Sequence, residues 1–143
     1  MILIVTGSRH WQDSPTVWQT LDRLNPSMVC VGCCPSGADL HARAWCRNRR
    51  VRLETFAADW SKGKGAGPIR NKTMVLWSMG YAKVHNRSLR AVGFYGGGAG
   101  TTDCLQRIAN AGIAYDVVFG DVSDEQKRGL LERLGTDQCG LFG

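Results

Sequence analysis

Short continuous apolar runs recur along the chain, separated by longer stretches in which an apolar residue returns every three or four positions. A strand that is covered on both faces has this continuous apolar character, whereas the longer period belongs to an amphipathic helix. The apolar runs predict five strands, at residues 2–6, 28–32, 51–56, 91–95 and 114–119. Helices are predicted to fill the intervals, so that strand and helix alternate along the chain.

Capping residues indicate where two of the helices begin. Ser14 is predicted to cap the first, with Pro15 at its first helical position, and Ser123 with Gln126 forms a capping box for the last. The helices are expected at residues 14–24, 38–50, 68–78, 102–111 and 123–134, and the inner face of the second is predicted to be Ala38, Leu40, Ala42, Ala44 and Trp45. Three stretches lack such a pattern, and they are predicted to be a glycine-rich loop at 57–67, an irregular excursion at 81–89 and a flexible tail at 136–143.

Five strands joined by helical crossovers require a parallel sheet with right-handed connections. The predicted fold class is therefore α/β, a three-layer Rossmann-like sandwich around a five-stranded, mostly parallel sheet. The 143 residues suit one domain, which is expected to span residues 1–135. In folds of this class ligands bind outside the carboxyl ends of the strands, near the point where the strand order reverses.

Composition and charge narrow the function classes. Hydrophobic residues make up 43% of the chain and charged residues 21%, as in an ordinary globular domain, and no apolar run approaches the roughly 20 residues of a membrane span. The first apolar run leads directly into a polar turn, without a basic segment or a cleavage site, so a cytoplasmic protein is expected. The net charge of +6 favours anionic partners such as phosphates, nucleotides or nucleic acid.

The six cysteines are expected to be reduced thiols that pack as small hydrophobic residues. Cys30 and Cys33 have the spacing of zinc ligands, but no second Cys-x-x-Cys or His-x-x-x-His pair is present to complete a site. We therefore expect neither a metal site nor a cofactor.

Three glycine-rich turns follow predicted strands and would meet at one edge of the sheet. They are Thr6-Gly7-Ser8-Arg9-His10-Trp11, Gly32-Cys33-Cys34-Pro35-Ser36-Gly37-Ala38-Asp39 and Gly96-Gly97-Gly98-Ala99-Gly100-Thr101-Thr102-Asp103. Glycine lets backbone N–H groups approach an anion, the following helix directs its positive end there, and Ser, Thr and Arg add donors. The third turn fits neither a triphosphate-binding P-loop, which needs a lysine where Thr101 stands, nor a dinucleotide fingerprint. Together the turns predict a phosphate-binding edge of another kind.

Other side chains near this edge have two interpretations each. Arg70, beside Asn71 in the first turn of its helix, can clamp a phosphate or a carboxylate, or it can be a solvated helix residue. Trp11 and Trp60 could stack on a base or ribose, or they could belong to the core. Asp39 could accept hydrogen bonds from ribose hydroxyls, or it could stabilise the N-terminus of its helix.

With these residues in place, the sequence resembles the SLOG superfamily, a Rossmann-like group that includes the Smf/DprA DNA-processing proteins and the LOG phosphoribohydrolases. Within it, the sequence is most similar to the YspA-type, YpsA-related branch. Five motifs carry the resemblance in the family's order, and they are Thr6-Gly7-Ser8-Arg9-x-Trp11, Gly32-x-Cys34-Pro35-x-Gly37-Ala38-Asp39, Ala58-Asp59-Trp60, Gly65-Ala66-Gly67-Pro68-Ile69-Arg70-Asn71-x-x-Met74 and Gly97-Gly98-Ala99-Gly100-Thr101. The resemblance covers about residues 1–119, within which 81–89 looks like an insertion. It implies nucleotide-derived ligands, such as nucleoside monophosphates or ADP-ribose derivatives, and a homo-oligomer such as a dimer.

The catalytic residues of the LOG enzymes are only partly present. Their Pro-Gly-Gly-x-Gly-Thr-x-x-Glu motif places Gly96 at the proline and Cys104 at the glutamate that takes part in cleaving the N-glycosidic bond. Their Arg-Lys pair becomes Arg70 and Asn71. A hydrolase needs an acid or base within reach of the leaving base, so Asp39, Asp59 or Asp103 would have to substitute. The sequence therefore favours a binding protein over an enzyme.

The leading hypothesis is a sensor or sequestering protein for a nucleotide, an ADP-ribose-like molecule or a cyclic ADP-ribose-like molecule. Its predicted ligand-binding residues are Gly7, Ser8, Arg9, Trp11, Cys34, Ser36, Gly37, Ala38, Asp39, Trp60, Gly67, Arg70, Asn71, Gly97, Gly98, Ala99, Gly100, Thr101 and Thr102. One alternative is a nucleotide N-glycosidase, or phosphoribohydrolase, with Asp103 or Asp39 as the catalytic candidate. The other is binding of single-stranded DNA, as in the DprA relatives, which the positive charge motivates.

Overall fold

The computed structural model describes residues 1–135 together with the backbone of 139–142. Strands and helices alternate through this part of the chain, as the hydrophobic pattern predicts. The strands are β1 (Ile2–Gly7), β2 (Met28–Gly32), β3 (Arg52–Phe56), β4 (Leu89–Tyr95), β5 (Ala114–Phe119) and β6 (Cys139–Phe142). The helices are α1 (Ser14–Leu24), α2 (Gly37–Arg49), α3 (Ala66–Val84), α4 (Ala99–Asn110) and α5 (Asp124–Leu134), and a 3-10 segment (Trp60–Gly65) precedes α3.

The six described strands form one parallel sheet in the order β3-β2-β1-β4-β5-β6. In the register of β1, Ile2 lies opposite Met28 of β2 on one side and Leu89 of β4 on the other. The order reverses between β1 and β4, because the chain builds outward through β2 and β3 and then crosses back to start β4. This is the Rossmann-like α/β fold expected from the sequence, and it puts the switch point at the carboxyl ends of β1 and β4.

Alternate residues of the central strands belong to two hydrophobic layers, one on each face of the sheet. On one face of the sheet, Ile4 packs in a cluster with Met74 of α3 and Leu105 of α4, and α5 joins the same layer. On the other face, Val5 packs with Leu21 of α1 and with residues of α2. Each such aliphatic side chain stabilises the fold by about 1.5–3 kcal/mol when it is fully buried. The two layers of helices therefore hold the central strands rigidly under the turns that follow them.

Local capping differs from the prediction at α1 and agrees with it at α5. The N-cap of α1 is Asp13, not Ser14, and its carboxylate accepts a hydrogen bond from the N–H of Thr16 at 3.1 Å. Hydrogen bonds from Thr16 keep the pKa of Asp13 below its ordinary value, so the cap is an ionised carboxylate at neutral pH. The capping box of Ser123 and Gln126 is confirmed.

The predicted inner face of α2 is only partly correct. Ala38, Ala42 and Trp45 are buried, whereas Leu40 is 37% exposed and Ala44 lies between these extremes. Leu40 follows Ala38 by two residues, which turns it about 200° around the helix axis. The buried face therefore follows the helical period and does not include Leu40.

The third helix is longer than predicted. It begins in the loop expected at 57–67 and continues to Val84, into the excursion expected at 81–89. Tyr81 stabilises this last part, since its ring stacks on Trp77 at 5.1 Å and its hydroxyl accepts a 2.6 Å hydrogen bond from Arg52 of β3. No helix in the described part of the chain combines the length and the apolar character needed to cross a membrane.

The outer half of the sheet has two further features. Asp116 of β5 is buried and forms an ion pair with Arg90 of β4, in which Nη2 of Arg90 lies 2.7 Å from Oδ1 of Asp116.

Cys139–Phe142, in the stretch for which a flexible tail is predicted, forms β6 along β5. The open edge of a strand presents N–H and C=O groups with which a segment nearby can pair. Residues 136–138 and 143 of the predicted tail lie outside the described residues.

Candidate functional site

The three glycine-rich turns lie side by side, because β2, β1 and β4 are adjacent strands. Each turn is named here after the strand that it follows. The N–H of Ser8, in the β1 turn, donates to the carbonyl of Phe94 in β4 at 3.0 Å, which ties this turn to β4. A Cβ on Gly96 would lie only 2.8 Å from the Cβ of Ser8, so the β4 turn touches the β1 turn. Segments nearly ninety residues apart in the chain thus meet at one sheet edge.

Gly37, at the start of α2, fits directly against the β1 turn. Its φ is +71°, and a Cβ there would lie 2.2 Å from the carbonyl oxygen of Ser8. The N–H of Ala38 donates to that oxygen at 3.0 Å, and the hydroxyl of Ser36 donates to the carbonyl of Arg9 at 2.9 Å. These groups, which the sequence predicts to bind ligand, are occupied in joining the two turns.

The β1 turn leaves fewer groups free than its sequence suggests. Gly7 lets α2 approach, since a Cβ there would lie 2.5 Å from the Cβ of Ala38. The hydroxyl oxygen of Ser8 accepts a hydrogen bond from the N–H of His10 at 3.1 Å, which leaves its proton available for donation. Arg9 is exposed. This turn can therefore offer an anion the Ser8 hydroxyl and the Arg9 guanidinium.

Arg70 and Asp39 converge over Gly32, at the carboxyl end of β2. A Cβ on Gly32 would lie 2.3 Å from Nη1 of Arg70 and 2.6 Å from Oδ2 of Asp39. Arg70 is held by hydrogen bonds from Nη1 to the carbonyl of Phe56 at 3.3 Å and from Nε to Oδ1 of Asn71 at 3.0 Å. Within residues 1–135, Nη2 makes no hydrogen bond. The guanidinium is thus oriented and keeps donors for an anion.

Asp39 lies under this guanidinium and is 6% exposed. Burial raises the pKa of Asp39, while the charges of Arg70 and Arg43 and a hydrogen bond from the N–H of Cys34 act against the rise. Arg43 donates to the carbonyl oxygens of Gly32 at 2.9 Å and Cys34 at 2.8 Å, and so shapes the β2 turn. A buried carboxylate among cations is typical of functional sites. Arg43 was not among the predicted site residues, although its position one helical turn after Asp39 was a usable signal.

The N-terminus of α4 is the most open part of this edge. Gly97 has a φ of +94°, and Gly98 is an N-cap whose backbone is extended and which supplies no side-chain cap. The N–H groups of Ala99, Gly100 and Thr101 therefore have no acceptor within the helix. Residues 96–100 are exposed. In proteins generally, N–H groups at a helix N-terminus favour phosphate or carboxylate, because they point at the anion and the helix dipole adds positive potential there.

Thr102 and Asn71 support this helix start from within. Thr101 and Thr102 are buried, and the hydroxyl of Thr102 donates to the carbonyl of Gly98 at 3.1 Å. Asn71, 3% exposed, donates from Nδ2 to the carbonyl of Gly100 at 3.2 Å. The side chains of Thr102 and Asn71 therefore hold this turn through hydrogen bonds to its carbonyl groups.

The same asparagine links α3 to Asp103. Its Nδ2 donates to Oδ2 of Asp103 at 3.0 Å, and this oxygen also accepts a hydrogen bond from Nε of Arg107 at 2.9 Å. The carboxylate of Asp103 is thus held between an amide and a cation. Arg107 was missed by sequence analysis, although the four-residue spacing between Asp103 and Arg107 is that of a helical ion pair.

The two tryptophans lie in opposite environments. Trp11 is buried, its ring is edge-on to Phe94 at 5.5 Å, and its Nε1 donates to the carbonyl of Asp13. The ring of Trp11 therefore belongs to the core, which is one of the two interpretations that the sequence left open. Trp60 is 59% exposed, and its ring lies against Gly67, one helical turn before Arg70. Its free face is a platform on which a base could stack.

Cys104 occupies the position of the LOG glutamate and faces the core. Its side chain is fully buried, and burial raises the pKa of the Cys104 thiol to about 12 despite a hydrogen bond with Thr6. The thiol is therefore neutral and out of reach of a ligand. Among the described residues, no group of His, Cys, Asp and Glu side chains could hold a metal ion.

Gln126 is a further residue of the edge that sequence analysis did not identify as such. Its Oε1 accepts the Ser123 N–H at 2.9 Å, and its Nε2 lies 2.8 Å from where a Cβ on Gly97 would be. The capping box was visible in the sequence. That the same amide lies over the β4 turn depends on how α5 packs beside α4, for which the sequence has no signal.

Comparisons with known proteins agree with these motifs. Residues 1–63, which include the β1 and β2 turns, match YAcAr, the YspA, cpYpsA-related SLOG family. The Gene 61 protein of Mycobacterium phage D29 is 34% identical over 129 residues, which cover 83% of this chain and 96% of the phage protein. The chain therefore belongs to the YspA, cpYpsA-related SLOG family.

Proposed function

We propose that the protein binds a phosphorylated, nucleotide-derived ligand at the carboxyl edge of β2, β1 and β4, as a sensor or as a sequestering protein. The proposed ligands are nucleoside monophosphates, ADP-ribose and cyclic forms of ADP-ribose. The observation that carries the proposal is the exposed N-terminus of α4, which Asn71 joins to the oriented guanidinium of Arg70. Membership of the SLOG family supports a nucleotide-related ligand.

In this proposal each part of the ligand has its own partner. The phosphate accepts hydrogen bonds from the N–H groups of Ala99 and Gly100 and from Arg70. A hydrogen bond to a charged group contributes about 1.5–3 kcal/mol, so a few of them support micromolar affinity once the entropy of association has been subtracted. Trp60 would stack on the base. Asp39 would keep the guanidinium of Arg70 oriented.

The same geometry supports binding over N-glycoside hydrolysis. At the position of the LOG glutamate, Cys104 is neutral and buried. Asp39 lies beneath Arg70, and one oxygen of Asp103 is shared by Asn71 and Arg107. A general acid or base must come within hydrogen-bond distance of the leaving group. Asp39 and Asp103 therefore already have partners, which favours binding over proton transfer at a glycosidic bond.

Isothermal titration calorimetry with AMP, ADP-ribose and cyclic ADP-ribose tests the proposal. Arg70→Ala should raise Kd by about 10- to 100-fold, the loss expected for one charge-assisted contact. Lys72→Ala is the matched control, since it removes the same charge from an exposed position of α3 and should leave Kd within about twofold. A folded sample that binds none of the three nucleotides would overturn the proposal.

A nucleotide N-glycosidase is the second candidate, favoured by the position of Asp103 one turn inside the open start of α4. Chromatography of nucleoside monophosphates incubated with the protein would detect a released base. Turnover that disappears in Asp103→Asn would replace the binding proposal with this one. With intact nucleotides after long incubation, the enzyme hypothesis is excluded.

We also propose that the protein is a homo-oligomer assembled on the outer face of α3. Apolar residues lie on every side of this helix, and Ile69, Leu76 and Val84 are 58%, 56% and 79% exposed. A helix of that kind is normally covered on every side. Light scattering after size exclusion should show an oligomer that Leu76→Lys dissociates, whereas Leu40→Lys, at an exposed leucine of α2, should not. A monomeric wild type refutes this proposal.

A further inference from the structure

A cleft of about 450 Å³ runs between α4 and α5 and begins at the β4 turn. Its lining includes Ala99, Thr102, Asp103 and Gln106 on α4, and Gln126, Gly129, Leu130 and Arg133 on α5. Both sets are spaced i, i+3, i+4, i+7, so each lies on one face of its helix. At 1.5 Å per residue, the groove extends about 10 Å from the turn. Its volume is in the range of small-molecule sites.

The upper end of this groove coincides with the proposed phosphate site. Gly97 and Ala99 belong both to the groove and to the open turn before α4. Oε1 of Gln126 accepts a hydrogen bond from the N–H of Ser123, so the other end of the Gln126 amide, the donor Nε2, faces Gly97. A phosphate at the turn would therefore accept an additional hydrogen bond from Gln126 of α5. The part of the ligand beyond the phosphate can extend into the groove.

The lower end of the groove has polar groups without partners. Arg133 is exposed, and no carboxylate in residues 1–135 lies within 4 Å of its guanidinium. The amide of Gln106, half-buried across the groove, makes no hydrogen bond in that part of the chain. Between the two ends, the groove is lined by the buried side chains of Tyr95 and Leu130. This end therefore suits a second anionic or hydroxyl-rich group.

Gly129 keeps the middle of the groove open. It lies inside α5, where glycine costs roughly 0.5–1 kcal/mol relative to alanine. No atom lies within 4 Å of the position that its Cβ would take. Since Gly129 faces the groove, a larger side chain at this position would enter the space between the two helices.

We infer that the ligand extends from the β4 turn through this groove, and is therefore a two-ended nucleotide with a phosphate at the turn and a second polar group about 10 Å away, near Arg133. The inference rests on the proposed function and narrows its ligand class. A nucleoside monophosphate would occupy the turn and leave the lower end empty. A pyrophosphate-linked molecule such as ADP-ribose, whose second ribose carries several hydroxyls, would fill both ends.

Calorimetry with AMP and ADP-ribose on the wild type, Gly129→Gln and Arg133→Gln tests this inference. ADP-ribose should bind the wild type more tightly than AMP does, and each variant should raise its Kd by about tenfold while the Kd of AMP stays within about twofold. Arg128→Gln, at an exposed position of α5 outside the groove lining, is the matched control and should bind like the wild type. Unchanged AMP binding shows that the variants are folded.

Three results would overturn the inference, and they separate it from the proposed function. If both nucleotides bind the wild type and neither variant weakens ADP-ribose, the groove is not used. If both variants weaken AMP and ADP-ribose equally, the groove does not distinguish a two-ended ligand. If neither nucleotide binds the wild type, the inference fails, and the proposed function fails with it only when cyclic ADP-ribose does not bind either.

Discussion

Replacing Gly32 with alanine should weaken ligand binding through Arg70, although Gly32 itself contacts no proposed ligand group. The new Cβ would lie 2.3 Å from Nη1 and 2.9 Å from Cζ of Arg70. Non-bonded heavy atoms are roughly 3.5 Å apart at contact, so the guanidinium would have to retreat by about 1 Å or more. The backbone at Gly32 has no left-handed φ, and it accepts alanine without strain.

The magnitude follows from what Arg70 is proposed to contribute. Losing one hydrogen bond between a charged donor and the phosphate costs about 1.5–3 kcal/mol, which corresponds to a Kd about 10- to 150-fold higher. The cost to folding should stay at about 1–3 kcal/mol, the usual range for one added methyl group in a packed site. Most of the displaced atoms belong to the end of a flexible side chain, while Oδ2 of Asp39, at 2.6 Å, has less room.

The assay is calorimetry with AMP on Gly32→Ala, Arg70→Ala and the double variant. If Gly32→Ala acts through Arg70, the double variant should bind no more weakly than Arg70→Ala alone. Gly65→Ala is the control, because no atom lies within 4 Å of a Cβ at that position. Wild-type affinity in Gly32→Ala, or effects that add in the double variant, would refute the reasoning.

Three further predictions concern stability and reactivity. Burial raises the pKa of Asp39 above 3.8, so the native state holds its proton more tightly and Asp39 costs stability as the pH rises beyond that value. The unfolding free energy of Asp39→Asn relative to the wild type, measured in urea, should therefore increase from about pH 4 to pH 7, and a decrease would contradict the assignment. Arg90→Ala leaves Asp116 buried without its partner and should cost about 3 kcal/mol in the same urea assay, whereas an unchanged midpoint would disprove the importance of the pair. Mass spectrometry after brief iodoacetamide treatment should find exposed Cys33 alkylated and Cys104, with a pKa of about 12, protected until unfolding, and equal labelling would show that Cys104 is not buried.

The elements of the fold were readable in the sequence because each depends on neighbours along the chain. The apolar runs located five strands, and the capping box at Ser123 needs only residues three positions apart. Parallel crossovers then require all strand ends to meet at one edge, so the grouping of the three glycine-rich turns follows from chain connectivity. The same local reasoning failed at Leu40, where two residues along a helix were assigned to one face.

The role of each side chain at the edge was decided by tertiary packing. Trp11 and Trp60 follow similar strand-end motifs, yet one ring fills the core against Phe94 and the other is exposed beside Gly67. Asn71 looked like a ligand contact, and the structure uses it to join α3 to α4. The burial and the partners of a side chain depend on which distant segment of the chain packs beside it. A local sequence pattern contains no information about that segment.

The amino-acid sequence alone therefore determined the alternation of strands and helices and the edge at which the glycine-rich turns collect, since both follow from short-range periodicity and the order of elements along the chain. Only the tertiary structure decided which donors remain free there. Backbone groups of the β1 and β2 turns bond to each other, while the start of α4, the guanidinium of Arg70 and the groove beside α5 stay open. A hydrogen-bond donor can bind a ligand only if packing has not already supplied it with a partner.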